Sequence, residues 1–392
     1  MQKEKPIFFP GLNGLRAIAA LAVVVSHTTV ELGQFRLNPY LFGTLDNGNP
    51  KSLDLADYGV TLFFALSGFL ITYLLLAESE HKPINIQNFY VRRILRIWPL
   101  YYAYFLVAMI LTLVWRDHFY PYTTYFYIFF AANIPKILIQ QIPLLSHYWS
   151  LGVEEQFYLM WPWGVKKNIN RIIPVTILLI LLFLVIKLIA HLIFPDSYFE
   201  TTMYIVKFDC MLIGALGAMI YFNRNKWFLK IVTHGGAQVL AWGALFLVAM
   251  NRFHFFAFID HEIISGVTVV LIIGQIAAKH KIFNLNTNAF DFLGKISYGI
   301  YVIHPLVLVL LARLMADLSF GIPFFKYAIT YVSVTGITIL LAHLSYEHFE
   351  KRFLRMKGRF STVRSAGTKH YNEEEAAKKE ADIEISASPR SS

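Results

Sequence analysis

The chain has 392 residues, of which 56% are hydrophobic, 16% aromatic and 15% charged, and its mean hydropathy is +0.51. Soluble domains carry about a quarter charged residues, so this composition excludes an ordinary soluble enzyme and indicates a polytopic membrane protein. The formal net charge is +10, but Lys and Arg concentrate at the ends of alternate apolar runs. That distribution is typical of the basic cytoplasmic loops of membrane proteins, so we expect no nucleic-acid partner.

Apolar runs along the chain predict an all-α polytopic bundle of ten membrane-spanning helices. The predicted spans cover 10–30, 58–77, 98–115, 144–165, 171–194, 202–222, 231–250, 259–278, 291–313 and 325–349. The segment 120–135 is apolar but short and bounded by prolines, which predicts a re-entrant or interfacial segment. Residues 1–360 form one predicted membrane domain, and 361–392, rich in Ser, Lys, Glu and Ala, form a predicted disordered cytoplasmic tail.

The distribution of basic residues predicts cytoplasmic N- and C-termini, since the loops on that side then hold most of the Lys and Arg. The single cysteine, Cys210, excludes an intrachain disulfide and a thiolate zinc cluster. The histidines are scattered without a His-Glu-x-x-His spacing, so we predict no metal site. The oligomeric state cannot be inferred from the sequence.

Two ionisable residues lie in the first predicted span, Arg16 and His27. Eleven helical steps return to within roughly 20° of the starting direction, so both side chains share one face, about 16 Å apart along the axis. Ionisable groups inside a membrane usually face a protein interior or a wet cavity. The pair therefore predicts a site that is reached from both sides of the bilayer.

Glu154 and Glu155 lie in an otherwise apolar predicted span. Adjacent helical positions point about 100° apart, so at most one carboxylate is expected to face a central cavity. One of them could orient His27 or neutralise Arg16. A purely structural ion pair with an arginine is the alternative.

Five motifs follow one another in a fixed order. They are Gly11-Leu-Asn-Gly-Leu-Arg16 with His27, the segment 59–72 (GVTLFFALSGFLIT), 89–102 (FYVRRILRIWPLYY), 148–158 (YWSLGVEEQFY) and 293–304 (LGKISYGIYVIH). Their order resembles acyltransferase family 3, a family of integral membrane acyltransferases, over residues 8–355. The resemblance implies transfer of an acyl group, often acetyl, from cytoplasmic acyl-coenzyme A to a hydroxyl of a carbohydrate or lipid-linked acceptor. It further implies a bacterial inner-membrane location and acyl-coenzyme A as a substrate instead of a permanently bound cofactor.

Within that resemblance, His27 is the candidate general base or transient acyl carrier, because an alcohol needs a base to act as a nucleophile. The alternative is a histidine that anchors the helix at the outer interface. Arg16 is a candidate ligand for a thioester carbonyl or a phosphate. Arg93 and Arg96, one helical turn apart, with Arg92 beside them, are candidate ligands for the coenzyme A phosphates. Simple topology determinants are the alternative for these three arginines.

Candidate substrate-binding residues are Trp149, Ser150, Tyr298, Tyr301 and His304. The last three recur at every third position, and an aromatic packing stripe is the alternative for them.

Two further pairs have a structural interpretation. Ser67-Gly68 is expected to allow close helix packing, and Lys207 with Asp209 is expected to form a local ion pair. The main functional rival to an acyltransferase is a transporter or flippase for an acyl donor or glycolipid, since intramembrane charge and many helices suit that class too.

Overall fold

The regular secondary structure of the described residues is helical. A computed structural model describes residues 7–44, 48, 50–256, 258–318 and 323–360, so the predicted tail at 361–392 lies outside the described residues. The α-helices are α1 (Leu12–Val30), α2 (Leu53–His81), α3 (Ile86–Trp115), α4 (Thr123–Ile128), α5 (Asn133–Ile137), α6 (Tyr148–Lys167), α7 (Ile172–Ile193), α8 (Tyr198–Val206), α9 (Phe208–Phe222), α10 (Lys226–Val232), α11 (Gly235–Ala249), α12 (Asp260–Ala277), α13 (Asn288–Lys295), α14 (Ser297–Met315), α15 (Pro323–Ser345) and α16 (Lys351–Lys357).

Within the described part of the chain, eight helical stretches are long and apolar enough to cross a membrane. They are Leu12–Phe35, Asp54–His81, Ile86–Trp115, Ile169–Ile193, Tyr198–Phe222, Asp260–Ala277, Ser297–Met315 and Phe324–Phe360. The pair α10 and α11, bent by 55°, makes a ninth if it is one span. The chain is therefore an integral membrane protein with an all-α polytopic fold, as the sequence predicts.

Each of the ten predicted spans overlaps one or two helices. Besides the bend between α10 and α11 within 231–250, there are three differences in detail. The segment 144–165 forms α6, which is helical but is not among the helices apolar enough to cross by composition. The segment 202–222 is broken between α8 and α9 at Lys207, whose φ of 41° is left-handed. The segment 291–313 is divided between α13 and α14 near Ile296.

The segment 120–135 forms no helix long enough to cross a membrane. It contains α4 and the start of α5, helices of six and five residues. Six residues of helix extend about 9 Å, far short of the hydrocarbon thickness. The segment also packs inward, since Tyr127 is fully buried and accepts a hydrogen bond on its carbonyl from the Tyr101 hydroxyl at 2.7 Å.

The centre of the bundle is the contact between α2 and α9, the most extensive between any two helices. Gly68 and Gly214 make it possible: a Cβ on Gly68 would overlap the Met211 carbonyl oxygen, and one on Gly214 would overlap that of Ala65. Small residues let helix backbones approach closely where lipid removes the hydrophobic driving force. Gly68 therefore serves the packing role that the sequence indicates. The helix α7, by contrast, exposes most of its apolar surface, as a lipid-facing helix does.

The end of the described chain folds back onto the bundle. After α15 the helix widens into a π-turn at Tyr346–Glu350 before α16 begins. A π-turn inserts a residue and so rotates the helix beyond it, and such turns are frequent at functional sites. Glu350 is buried, and α16 packs along α3.

Candidate active site

An open cavity, with about 660 Å³ of empty space including the solvent at its mouth, lies between α1, α2, α3, α6 and α14. Its polar lining residues from the sequence prediction are Arg16, Arg93, Arg96, Ser150, Glu154, Tyr298 and Tyr301. Three further polar lining residues were not predicted as site residues: Ser67, Tyr158 and Ser297. The cavity thus brings together Arg16 of the first sequence motif and side chains from the other four.

Arg16, Arg93 and Arg96 form what we call the arginine cluster. The guanidinium of Arg16 is close enough to Arg96 and Arg93 for unfavourable charge interactions. Within the described residues, none of the three has a carboxylate within 4 Å. Cations gathered without matching anions favour an anionic ligand, and guanidinium groups bind phosphate oxygens in a bidentate manner.

Glu154 is the carboxylate that lines the cavity. It accepts hydrogen bonds from the hydroxyls of Ser67 and Tyr158, and it attracts Arg16 and Arg93 electrostatically without pairing directly with them. Ser67 therefore has a second role beside packing, which its place next to Gly68 concealed in the sequence.

Glu155 points elsewhere. One of its oxygens accepts a hydrogen bond from the indole nitrogen of Trp98 at 3.3 Å, and the other is buried without a hydrogen-bond partner among the described residues. Neither Glu154 nor Glu155 makes the direct ion pair with Arg16 that the sequence left open.

Arg92 differs from the two arginines beside it. Its Nη2 donates to the Glu78 carboxylate at 3.1 Å and its Nη1 donates to the Phe360 carbonyl at 2.7 Å. Arg93, in contrast, lies over the rings of Tyr158 and Phe89, with its Cζ 5.0 and 5.5 Å from their centroids. Arg92 thus holds the end of the described chain against α3, whereas Arg93 faces the cavity.

The opposite end of α1 carries His27, which contacts His304 of α14; we call these two residues the histidine pair. The His27 Nδ1 lies 2.8 Å from the His304 Nε2, and the His304 Nδ1 lies 2.8 Å from the Tyr301 carbonyl oxygen. His304 is fully buried and His27 is half-buried. His304 thus contacts the candidate base, and neither residue of the histidine pair is among the cavity-lining residues.

The hydrogen bonds of the histidine pair fix its tautomers when both rings are neutral. A carbonyl oxygen only accepts, so the His304 Nδ1 carries the hydrogen and its Nε2 is an acceptor. The His27 Nδ1 must then donate to His304. This leaves the lone pair of His27 on Nε2, which makes no hydrogen bond with a described residue. A free imidazole lone pair is what a general base requires.

Tyr301 connects the histidine pair to the cavity. Its hydroxyl lines the cavity, donates to the His147 carbonyl at 2.9 Å and contacts the Ser150 hydroxyl. The rings of Tyr301 and His304 lie 6.0 Å apart. His147 was missed at the sequence level; it stands immediately before the motif 148–158, and its ring centroid is 5.5 Å from that of His304.

Two predicted substrate-binding residues take different positions. Tyr298 lines the cavity and donates its hydroxyl hydrogen to the Ile97 carbonyl at 2.8 Å. Trp149 lies behind the lining, edge-on to Phe64 at 6.3 Å and 5.7 Å from the ammonium of Lys207.

The prediction of a local Lys207–Asp209 ion pair is wrong. Lys207 pairs with Asp57 at 2.6 Å, and Asp209 pairs with Lys187, which also pairs with Glu262. Residues two apart on a helix do not face each other, and the left-handed conformation of Lys207 turns the two side chains towards different helices.

Glu350 was also missed. The π-turn places it beside the inner cavity wall, where it accepts a hydrogen bond from the Ser345 hydroxyl at 3.2 Å. Its carboxylate interacts favourably with Arg96 and lies near Tyr298. In the sequence Glu350 stands out only as the start of the ending Glu350-Lys-Arg-Phe353, which resembles the family's ending and was not predicted as a site.

Comparison with known proteins identifies the kind of domain. A family model described as an acyltransferase domain matches residues 9–346. The O-acetyltransferase OatA of Staphylococcus aureus (strain NCTC 8325 / PS 47) is 26% identical over 382 residues, which cover 90% of this chain and 58% of that protein. The putative peptidoglycan O-acetyltransferase YrhL of Bacillus subtilis (strain 168) is 28% identical over 387 residues, or 90% of this chain and 55% of that protein.

The chain therefore spans somewhat more than half the length of these relatives. No solved structure gives a significant match. The family match covers most of the chain and supports an enzyme over the transporter or flippase alternative. The chain belongs to the acyltransferase family that this domain defines.

Proposed function

We propose that this protein is a membrane O-acetyltransferase that moves an acyl group, acetyl foremost, from acyl-coenzyme A to a carbohydrate hydroxyl. One observation carries the proposal: the arginine cluster and Tyr301 line one cavity, and the Tyr301 carbonyl oxygen contacts His304 of the histidine pair, which lies behind the lining. An anion-binding end and a base-bearing end are the two requirements for acyl transfer from a phosphorylated thioester.

The donor binds at the arginine cluster in this proposal. Coenzyme A carries a diphosphate and a ribose phosphate, and Arg93 and Arg96 with Arg16 provide guanidinium groups without carboxylate partners among the described residues. The flexible arm of the donor then runs along the cavity towards Tyr301. Arg92, occupied by Glu78 and the Phe360 carbonyl, supports this site from behind instead of contacting phosphate.

His27 acts as the general base. Its Nε2 takes the proton from the acceptor hydroxyl while the hydroxyl oxygen bonds to the thioester carbonyl carbon. The carbon–sulfur bond breaks as the tetrahedral intermediate collapses, and the proton on His27 passes to the leaving thiolate. His304 holds His27 in the tautomer that this step needs, so it is a positioning residue.

The acceptor is proposed to be a glycan of the cell envelope. The name of the B. subtilis relative, a putative peptidoglycan O-acetyltransferase, supports a carbohydrate acceptor. The bacterial source of the relatives supports a location in the bacterial inner membrane. The distribution of basic residues supports both termini in the cytoplasm. The arginine cluster then opens to cytoplasmic acyl-coenzyme A, and the histidine pair faces the outer side.

Coenzyme A release tests the reaction directly. The full chain in lipid nanodiscs is given acetyl-coenzyme A and chitopentaose or peptidoglycan fragments, and free thiol is measured. We expect acceptor-dependent release, lowered by about 10²- to 10⁴-fold in His27→Ala, the range ascribed to a general base. His280→Ala, at an exposed histidine, should retain full activity.

Mass spectrometry of envelope glycans and lipids, from cells with and without the protein, identifies the acceptor by an added acetyl mass. A folded His27→Ala variant with full transfer would remove the proposed base. Absence of both coenzyme A release and any glycan acetylation would refute the proposed reaction itself.

A further inference from the structure

The lining of the cavity is not polar throughout. Along α2 it changes from polar to apolar within one helical turn, because Ser67 is preceded on the same side of the helix by Phe64, Phe63 and Val60, which also line the cavity. The ring of Phe63 lies edge-on to that of Tyr301, with 6.0 Å between their centroids. The apolar part of the lining therefore lies at Tyr301, from which α14 leads to the histidine pair.

Edge-to-face contacts hold the two phenylalanine rings in place. The ring planes of Phe63 and Tyr301 meet at 72°, and those of Phe64 and Trp149 meet at 86° with their centroids 6.3 Å apart. Tyr301 is itself held across the cavity by the contact of its hydroxyl with that of Ser150. Aromatic rings favour this geometry, so moving either phenylalanine would sacrifice a favourable contact. The apolar end of the cavity thus has walls that resist displacement.

Phe63 lies between the cavity and the stretch of α1 that joins Arg16 to His27. Its side chain packs against a buried cluster that contains Ala20 and Val24, which follow Arg16 by about one and two helical turns. Phe63 lines the cavity and is half-buried, whereas the histidine pair lies behind the lining. An acyl group that approaches His27 from the arginine cluster therefore meets the ring of Phe63.

We propose that Phe63 is a specificity-determining residue that limits the length of the acyl group, so that acetyl is transferred in preference to longer acyl groups. A donor bound by its phosphates at the arginine cluster directs its acyl group to the apolar part of the lining. The additional carbons of a longer chain would have to occupy the space that the Phe63 ring fills. This inference rests on the proposed function, because it takes acyl-coenzyme A as the donor. The competing role for Phe63 is packing of α2 against α1 and α14 alone.

Kinetics with two donors of different length separates these roles. Wild type, Phe63→Ala and Phe63→Leu are assayed for coenzyme A release with acetyl-coenzyme A and with butyryl-coenzyme A, at the same acceptor concentration. In wild type we expect kcat/KM for the butyryl donor to be lower by at least about 10- to 200-fold, the range for one methylene in excess of an apolar pocket. Phe63→Ala should reduce this preference at least about tenfold, and Phe63→Leu should reduce it by less.

The matched control is Phe105→Ala, which removes a ring of the same size from α3, at a half-buried position that does not line the cavity. It should leave the preference for acetyl unchanged. A packing role alone predicts that Phe63→Ala loses activity equally with both donors, and this result would overturn the inference. Equal use of both donors by wild type would overturn it too. A wild type that uses neither donor would instead count against the proposed function.

If Phe63→Ala does not yield monodisperse protein, the milder variant Phe63→Leu and wild type decide between the two roles. Both are given acetyl-, propionyl-, butyryl- and hexanoyl-coenzyme A in turn. In wild type kcat/KM should fall with each step in length, and in Phe63→Leu the fall should begin at a longer chain. Identical profiles for the two proteins, or a flat profile for wild type, would refute the role of Phe63 in acyl selection.

Discussion

The hydrogen bond within the histidine pair makes a quantitative prediction about catalysis. Replacing His304 with Leu removes the acceptor of the 2.8 Å bond from the His27 Nδ1. The His27 ring then loses both its fixed orientation and its tautomer preference. A hydrogen bond of this kind contributes roughly 0.5–1.5 kcal/mol, which corresponds to a factor of about 2 to 12. We therefore expect kcat to fall by up to about tenfold in His304→Leu.

Removing the base itself should cost far more. His27→Ala is expected to lower kcat by about 10²- to 10⁴-fold, and His304 can act only while His27 is present. The double variant should therefore be no slower than His27→Ala alone, because residues that act as one unit are not additive. His304→Gln, whose amide oxygen can accept from His27, should recover most of the activity.

The assay is coenzyme A release at saturating acetyl-coenzyme A, with the KM of the donor measured alongside. A positioning role for His304 leaves that KM unchanged, since Arg16 of the arginine cluster lies eleven residues from His27 along α1. If the losses in kcat multiply in the double variant, His304 acts independently of His27 and the tautomer argument is refuted. Monodisperse elution of each variant controls for misfolding, since His304 is fully buried.

Two further predictions concern stability, followed by thermal unfolding in detergent. Gly68→Ala should destabilise the protein by at least about 1–3 kcal/mol, because the new Cβ would meet backbone atoms that cannot move aside. The control is Gly243→Ala, in the interior of a helix, where no atom lies within 4 Å of the new Cβ. This variant should be neutral or stabilising. Equal stability of these two variants would contradict the packing argument. Lys187→Met should cost about 3–5 kcal/mol by leaving the carboxylates of Asp209 and Glu262 buried without their cation. Recovery of that loss in Lys187→Met with Asp209→Asn would confirm its electrostatic origin, and a loss that stays the same would disprove it.

The helices could be predicted from the sequence because an apolar run marks a segment that is buried in the protein or faces lipid. The breaks inside those runs could not. Lys207 lies within one continuous apolar stretch, yet its left-handed backbone splits α8 from α9. Hydropathy averages over about one span, whereas a break depends on one residue's φ and on the neighbouring helices that receive its side chain. Asp57, 150 positions away in sequence, is the partner that Lys207 finds.

The candidate site was predictable as a set of residue types, and its geometry was not. The Arg-x10-His spacing and the Arg93–Arg96 pair follow from helical periodicity. Which partner each takes depends on contacts between distant helices. His304 is an example. Its spacing of three residues from Tyr301, and of six from Tyr298, indicates that all three lie on one face of a helix. Only the packing of α14 against α1 brings His304 into contact with His27.

The direction of α14 bears on the number of spans. Along α1 the chain runs from Arg16 to His27, and along α14 it runs from Tyr298, at the arginine cluster, to His304 at the histidine pair. The two helices are therefore parallel. Two spans that run in the same direction must be separated along the chain by an odd number of membrane crossings. Between α1 and α14 lie five of the apolar stretches and the bent pair of α10 and α11, which makes only six. The seventh must come from another helix.

The helix α6 satisfies that requirement. It runs from His147, beside the histidine pair, to Tyr158, beneath Arg93, and so covers the same depth as the segment of α1 between Arg16 and His27. The composition of α6 is less apolar because one of its faces, which carries Ser150 and Glu154, lines the cavity and does not contact lipid. A helix that lines a wet cavity can cross the bilayer with polar groups that a lipid-facing helix cannot carry. The polar residues that lower the hydropathy of α6 are thus the ones that line the candidate active site.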